Sequence, residues 1–92
     1  MTINEAINHP QATLVDVRTP GEVAYEPVPG AVNIPLDEIP ARWEEFKSFS
    51  RPLVVFCRSG NRSSQALMFL NSKGIVDGMN GMGASDVLIH LM

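Results

Sequence analysis

The chain has 92 residues, of which 45% are hydrophobic and 18% charged, with a mean hydropathy of +0.04. That is room for one domain over residues 1–92 with a modest core, and it excludes a disordered chain. The net charge of −3 argues against general nucleic-acid binding, and no apolar run approaches the ~20 residues of a membrane-spanning helix.

Thr2-Ile3-Asn4-Glu5 has the form of a capping box and predicts a short helix to about Asn8, ahead of Pro10. The same stretch lacks the basic start and apolar centre of a secretory leader. It points to the cytoplasm, although a processed periplasmic chain would read the same way. Thr13–Val17 is β-branched and apolar, which predicts a buried strand ending at Arg18. Thr19 can cap a helix over residues 21–25 with Pro20 in its first turn. Pro27, Pro29 and Gly30 impose an irregular loop, and Ala31–Ile34 reads as a second strand stopped by Pro35. Residues 40–49 form an amphipathic pattern, with Ile39, Trp43 and Phe46 on one face and Arg42, Glu44, Glu45 and Lys47 on the other. Leu53-Val54-Val55-Phe56 is a strand covered on both faces. A helix over about 62–72 follows, with Ser63, Ala66, Leu67 and Leu70 inward and Gly74 closing it. Ile75–Met79 is the expected fourth strand, and Ser85 the expected cap of a last helix to Met92. Alternating strands and helices imply an α/β fold in three α/β/α layers around a small parallel sheet of four or five strands.

Ligands of such sheets bind beyond the carboxyl ends of the strands. Asp16–Arg18 and Cys57 both fall there. Cys57 is the sole cysteine, so no internal disulfide is available, and neither His9 nor His90 has zinc-motif spacing to it. No metal or cofactor is expected. Val-Val-Phe-Cys by itself reads as inert core. The polar, glycine-containing, dibasic turn Arg58-Ser59-Gly60-Asn61-Arg62-Ser63 that follows does not suit a core position. At a strand-to-helix junction free backbone N–H groups converge and stabilise an anion. A free thiol, with a pKa near ~8.5, becomes nucleophilic there as its thiolate. Gly60 and Asn61 can take left-handed conformations, Ser59 and Ser63 can donate hydroxyl hydrogen bonds, and Arg58 and Arg62 make the local field positive.

These residues resemble the single-domain rhodaneses, the thiosulfate sulfurtransferase-like family. Asp16-Val17-Arg18 is similar to its Asp-Val-Arg strand end, and Glu22 to an acidic residue of its next helix. Pro29-Gly30-Ala31-Val32-Asn33-Ile34-Pro35 is similar to its Pro-Gly-Ala-x-Asn-Ile-Pro segment, and Cys57–Ser63 to its active-site loop. The resemblance implies that Cys57 takes sulfane sulfur from a small anionic donor, thiosulfate or a persulfide, as a Cys57 persulfide. A thiol or cyanide, or a protein acceptor, then removes it. Arg58, Ser59, Gly60, Asn61, Arg62 and Ser63 would bind substrate, while Asp16, Arg18 and Glu22 would support the structure, Asp16 and Arg18 pairing with Glu22 or with loop backbone. The chain departs from the family in three places: it lacks the usual first strand, the Gly-His before Ile-Pro-Gly-Ala, and the Gly-Gly and tryptophan near the end, where Asn80–Ser85 stands instead. Met79 and Met82 either line the pocket or fill the space the tryptophan would take. Two rival functions use the same residues. A cysteine-dependent phosphatase or arsenate reductase would need a loop one residue longer, Cys-x5-Arg, and a general acid. A non-catalytic binding or sensing module would leave Cys57 with ordinary thiol reactivity.

Overall fold

Two Thr-x-x-Glu boxes set the first two helices in the computed structural model, which describes residues Met1–Met92. In α1 (Ile3–Asn8) the Thr2 hydroxyl accepts the Glu5 N–H at 3.1 Å and the Glu5 carboxylate accepts the Thr2 N–H at 2.8 Å. The arrangement recurs at α2 (Pro20–Tyr25), where Thr19 and Glu22 exchange bonds of 3.3 and 3.1 Å and Pro20 opens the first turn.

Four strands follow the alternation read from the sequence: β1 (Thr13–Asp16), β2 (Val32–Asn33), β3 (Leu53–Cys57) and β4 (Met79–Gly83). All pair in parallel, in the order β2-β1-β3-β4. β3 is buried along its whole length because helices cover both sheet faces. Leu53, Val55 and Cys57 join Val15, Ile39, Phe46, Ala66 and Leu70 on the face carrying α3 (Ile39–Arg42) and α4 (Asn61–Ser72). Val54 and Phe56 point the other way, into Ala6, Ile7, Ala84 and Val87 of α1 and α5 (Ala84–Leu91). The result is a three-layer α/β/α arrangement whose central strand delivers Cys57 to the carboxyl edge of the sheet. No helix is long and apolar enough to cross a membrane.

Three elements differ from expectation. The amphipathic stretch at 40–49 is not one α-helix; it is a single α turn, α3, between 3₁₀ turns at Leu36–Glu38 and Trp43–Lys47. Trp43, Phe46 and Phe49 recur every three residues, the period of a 3₁₀ helix. The Phe46 and Phe49 rings meet edge to face with centroids 5.2 Å apart.

The fourth strand is Met79–Gly83, not Ile75–Met79. Ile75 closes α4 instead: its N–H reaches Leu70 O at 3.0 Å and the Gly74 N–H reaches Asn71 O at 3.0 Å, with Gly74 at φ +88°. This is a Schellman cap, and the Ile75 side chain supplies its buried hydrophobic contact. β4 is built from glycine-rich sequence because side chains do not fit there. A Cβ at Gly81 would lie 2.9 Å from Val54 and 3.3 Å from Phe56 and Val87. The register slips between Val55, opposite Asn80, and Phe56, opposite Met82, so Gly81 is bulged and Met82 takes φ +70°.

Finally, α5 is capped at Gly83, whose N–H donates to the Asp86 carboxylate at 3.0 Å, and Ser85 lies inside the helix.

Candidate active site

The turn from β3 into α4 wraps around one sulfur atom. Gly60, the residue before α4, has φ +99°, a conformation glycine adopts without strain. A side chain there would also strike the Met82 methyl group, 2.8 Å from where a Cβ would stand. With the chain bent this way the Gly60 N–H donates to Cys57 Sγ at 3.0 Å and the Ser63 N–H at 3.4 Å. The Ser63 hydroxyl lies 3.5 Å from the same sulfur. Cys57 is fully buried within the apolar cluster of the sheet, and its sulfur lies within reach of these loop donors. Burial pushes the thiol up; the Ser63 hydroxyl and the N–H groups of Ser63, Ser59 and Gly60 outweigh it, and the thiol lies below its ordinary value. The surroundings thus ease ionisation of Cys57 to the thiolate, the form that attacks electrophilic sulfur.

The two arginines of the loop have different surroundings. Arg62 presents its fork to Glu22 on α2, with bonds of 2.6 and 2.8 Å. The Arg62 guanidinium, followed by the Thr19 N–H, holds the Glu22 carboxyl down to about 2. Arg58 is exposed and has no carboxylate partner among the ion pairs. It borders an open hollow of about 370 Å³ with Arg18, Gly21, Glu22, Tyr25 and Glu26. Ser59 and Asn61 are exposed at the rim, Gly60 and Ser63 buried beneath it.

At the end of β1, Asp16 and Arg18 pair with each other through contacts of 3.0, 3.1 and 2.7 Å, and Arg18 also donates to the Glu26 carbonyl at 2.7 Å. Of the two expected partners, Glu22 or loop backbone, the pair takes backbone, at Glu26 O and the Arg18 N–H, and Asp16 and Arg18 also bond each other; Glu22 is turned by α2 toward Arg62 instead. Asn33, in the Pro-Gly-Ala segment, donates to Asp16 O at 2.8 Å and Arg18 O at 3.0 Å and ties β2 to this strand end. His9 and His90 bond the Gln11 N–H and the Asn4 amide, not the loop. No group of His, Cys, Asp and Glu is arranged to hold a metal ion.

One contributor was not singled out in the sequence. Asn80, on β4, donates from Nδ2 to Gly60 O at 3.2 Å and accepts the Met82 N–H at 2.8 Å and the Ser63 hydroxyl at 2.8 Å. The only hint was a lone amide in a glycine-rich strand. Of the two methionines, Met79 packs against the α1/α5 core, while Met82 is half-exposed over Gly60.

The fold is that of a rhodanese-like domain, and the comparisons agree. Residues 2–88 match the rhodanese-like domain. A sulfurtransferase of Allochromatium vinosum is 44% identical over 61 residues, which are 66% of this chain and 56% of that protein. The chain thus spans little more than half the length of that relative. A human thiosulfate:glutathione sulfurtransferase is 36% identical over 80% of this chain and 76% of its own length. Among solved structures, a rhodanese with anions from E. coli superposes with a TM-score of 0.72 at 33% identity, covering 82% of this chain and 89% of that one. The chain belongs to the rhodanese-like family, whose members named here are sulfurtransferases.

Proposed function

We propose that this chain moves sulfane sulfur from thiosulfate or a low-molecular-weight persulfide, through a Cys57 persulfide, to a thiol or cyanide. The observation that carries this reading is the Cys57 sulfur held by the Gly60 and Ser63 N–H groups at the end of β3. In the first half-reaction the Cys57 thiolate attacks the outer sulfur of thiosulfate. A sulfur–sulfur bond to Cys57 forms, the bond to the sulfonate sulfur breaks, and its electron pair leaves with sulfite. The negative charge moves to the outer sulfur, where the loop N–H groups and Arg58 stabilise it. In the second, an acceptor thiolate or cyanide attacks that outer sulfur and Cys57 departs as thiolate. Two separate half-reactions give ping-pong kinetics. Arg58, the uncommitted cation of the loop, draws in the anionic donor, and Arg62 braces the loop against α2 through Glu22. The similarity to a human thiosulfate:glutathione sulfurtransferase supports thiosulfate as a donor and glutathione as an acceptor here.

The carboxylates near the site argue against a phosphatase. Asp16 is buried and committed to Arg18, and Glu22 is held ionised by Arg62, so neither is free to protonate a leaving alkoxide.

Incubation with thiosulfate, followed by whole-protein mass spectrometry, should add the mass of one sulfur atom, and Cys57→Ser should remain unchanged. No adduct from thiosulfate, glutathione persulfide or mercaptopyruvate would overturn the proposal, as would turnover of an aryl phosphate in their place.

A further inference from the structure

The Ser63 hydroxyl has one proton and three neighbours able to accept it: Cys57 Sγ at 3.5 Å, Gly60 O at 3.1 Å and Asn80 Oδ1 at 2.8 Å. The surrounding bonds decide where it resides. Gly60 O already receives the Ser64 N–H at 3.0 Å and Asn80 Nδ2 at 3.2 Å, which occupies both lone pairs. The Asn80 amide cannot be turned around, because its oxygen receives the Met82 N–H. One lone pair of Asn80 Oδ1 is left, at the shortest distance. With the proton there, Ser63 presents oxygen lone pairs to the sulfur, which suits an S–H and opposes a thiolate.

We propose that Asn80 is a positioning residue that holds the Ser63 proton away from Cys57 while its sulfur is neutral and releases it when that sulfur ionises. Rotation of one hydroxyl moves the proton from Asn80 Oδ1 to Sγ without displacing a heavy atom, and Asn80 keeps its bond from Met82. During sulfur transfer, which this inference takes from the reading above, the charge passes from Sγ to the outer sulfur. The Ser63 hydroxyl then returns to Asn80, so neither group is left buried without a partner. Asn80 thus competes with the thiolate for one donor. The charged groups around the sulfur are Arg58 in the loop, Arg62 on α4 facing Glu22 on α2, the Asp16–Arg18 pair at the end of β1, and Asp86 at the start of α5.

The test is the ultraviolet absorbance of the Cys57 thiolate against pH, with Cys57→Ser as the blank. It needs no sulfur donor, so it stands or falls apart from the sulfur-transfer reading. Asn80→Ala also frees a lone pair of Gly60 O, 3.1 Å from Ser63 Oγ, so it should lower the ionisation midpoint with an ionisation constant at most about threefold larger, the scale of one neutral hydrogen bond. Ser63→Ala should raise the midpoint, and Asn80→Ala added to it should shift nothing further. An equal shift in both backgrounds, or a rise with Asn80→Ala, would overturn the proposal. Should Asn80→Ala not fold, Asn80→Asp gives up the bond from Nδ2 to Gly60 O but keeps an acceptor for Met82 and holds the Ser63 proton harder. It should raise the midpoint more in the Ser63 protein than in the Ser63→Ala background. A rise of the same size in both would be the effect of its charge alone and would overturn the proposal.

Discussion

Two neighbouring strands end at the same edge of the sheet and use polar residues for opposite purposes. At the end of β1, Asp16 and Arg18 satisfy each other, with Glu26 O and the Arg18 N–H completing the set. Both charges there are turned on each other and on backbone. At the end of β3, the Gly60 and Ser63 N–H groups converge on a single sulfur. Arg58 beside them has no partner. A closed polar network supports structure; an open one, with donors aimed at an atom that can carry charge, supports chemistry.

Breaking the closed side should cost the most. Arg18→Ala leaves Asp16 buried without a counter-charge, holding only the main-chain N–H of residue 18, and the expected loss is about 3–5 kcal/mol of stability, read from urea unfolding. An unchanged midpoint would mean that the strand end relaxes enough to hydrate the carboxylate. On the open side, Gly60→Ala forces an ordinary side chain into φ +99° and against Met82. About 1–2 kcal/mol of conformational strain is expected, together with loss of sulfur loading as the Gly60 N–H turns from Sγ. Arg58→Ala tests the open charge alone. It should lower kcat/KM for thiosulfate by about tenfold at low salt, less as salt rises, with stability unchanged within ~0.5 kcal/mol. Equal loss toward a neutral donor would remove its role in attraction.

The smallest effect is that of Glu22→Gln. The carboxyl of Glu22 is depressed to about 2, so its contribution is full above the ordinary carboxylate range and is lost as pH falls from there toward 2. The wild type should therefore exceed Glu22→Gln in stability at neutral pH, by less than about 1 kcal/mol for this half-exposed pair, and match it near pH 2. A gap that persists at low pH would assign the effect to packing rather than charge.

The elements easiest to read were those with local causes. The two Thr-x-x-Glu boxes started helices because their bonds close within four residues. Leu53–Phe56 read as a two-sided strand because its apolar run has no polar face to turn outward. Harder were segments whose hydrophobic residues had more than one use. Ile75 looked like a strand residue, yet its buried side chain completes the α4 cap, while glycine-rich Met79–Gly83 became the strand because Val54, Phe56 and Val87 leave no room for larger side chains. Partner choice was equally illegible: Glu22 meets Arg62, forty positions away, and Asp16 meets Arg18, two away.

The order of residues in Cys57–Ser63 by itself determined that a lone thiol would stand at a strand-to-helix turn with glycine, hydroxyls and two guanidiniums around it, since chain geometry at such a turn is local. Tertiary structure alone decided which guanidinium stayed uncommitted and which amide came to face Ser63. Those choices depend on α2 and β4 arriving from distant parts of the chain, where packing against the sheet, not sequence proximity, sets the approach.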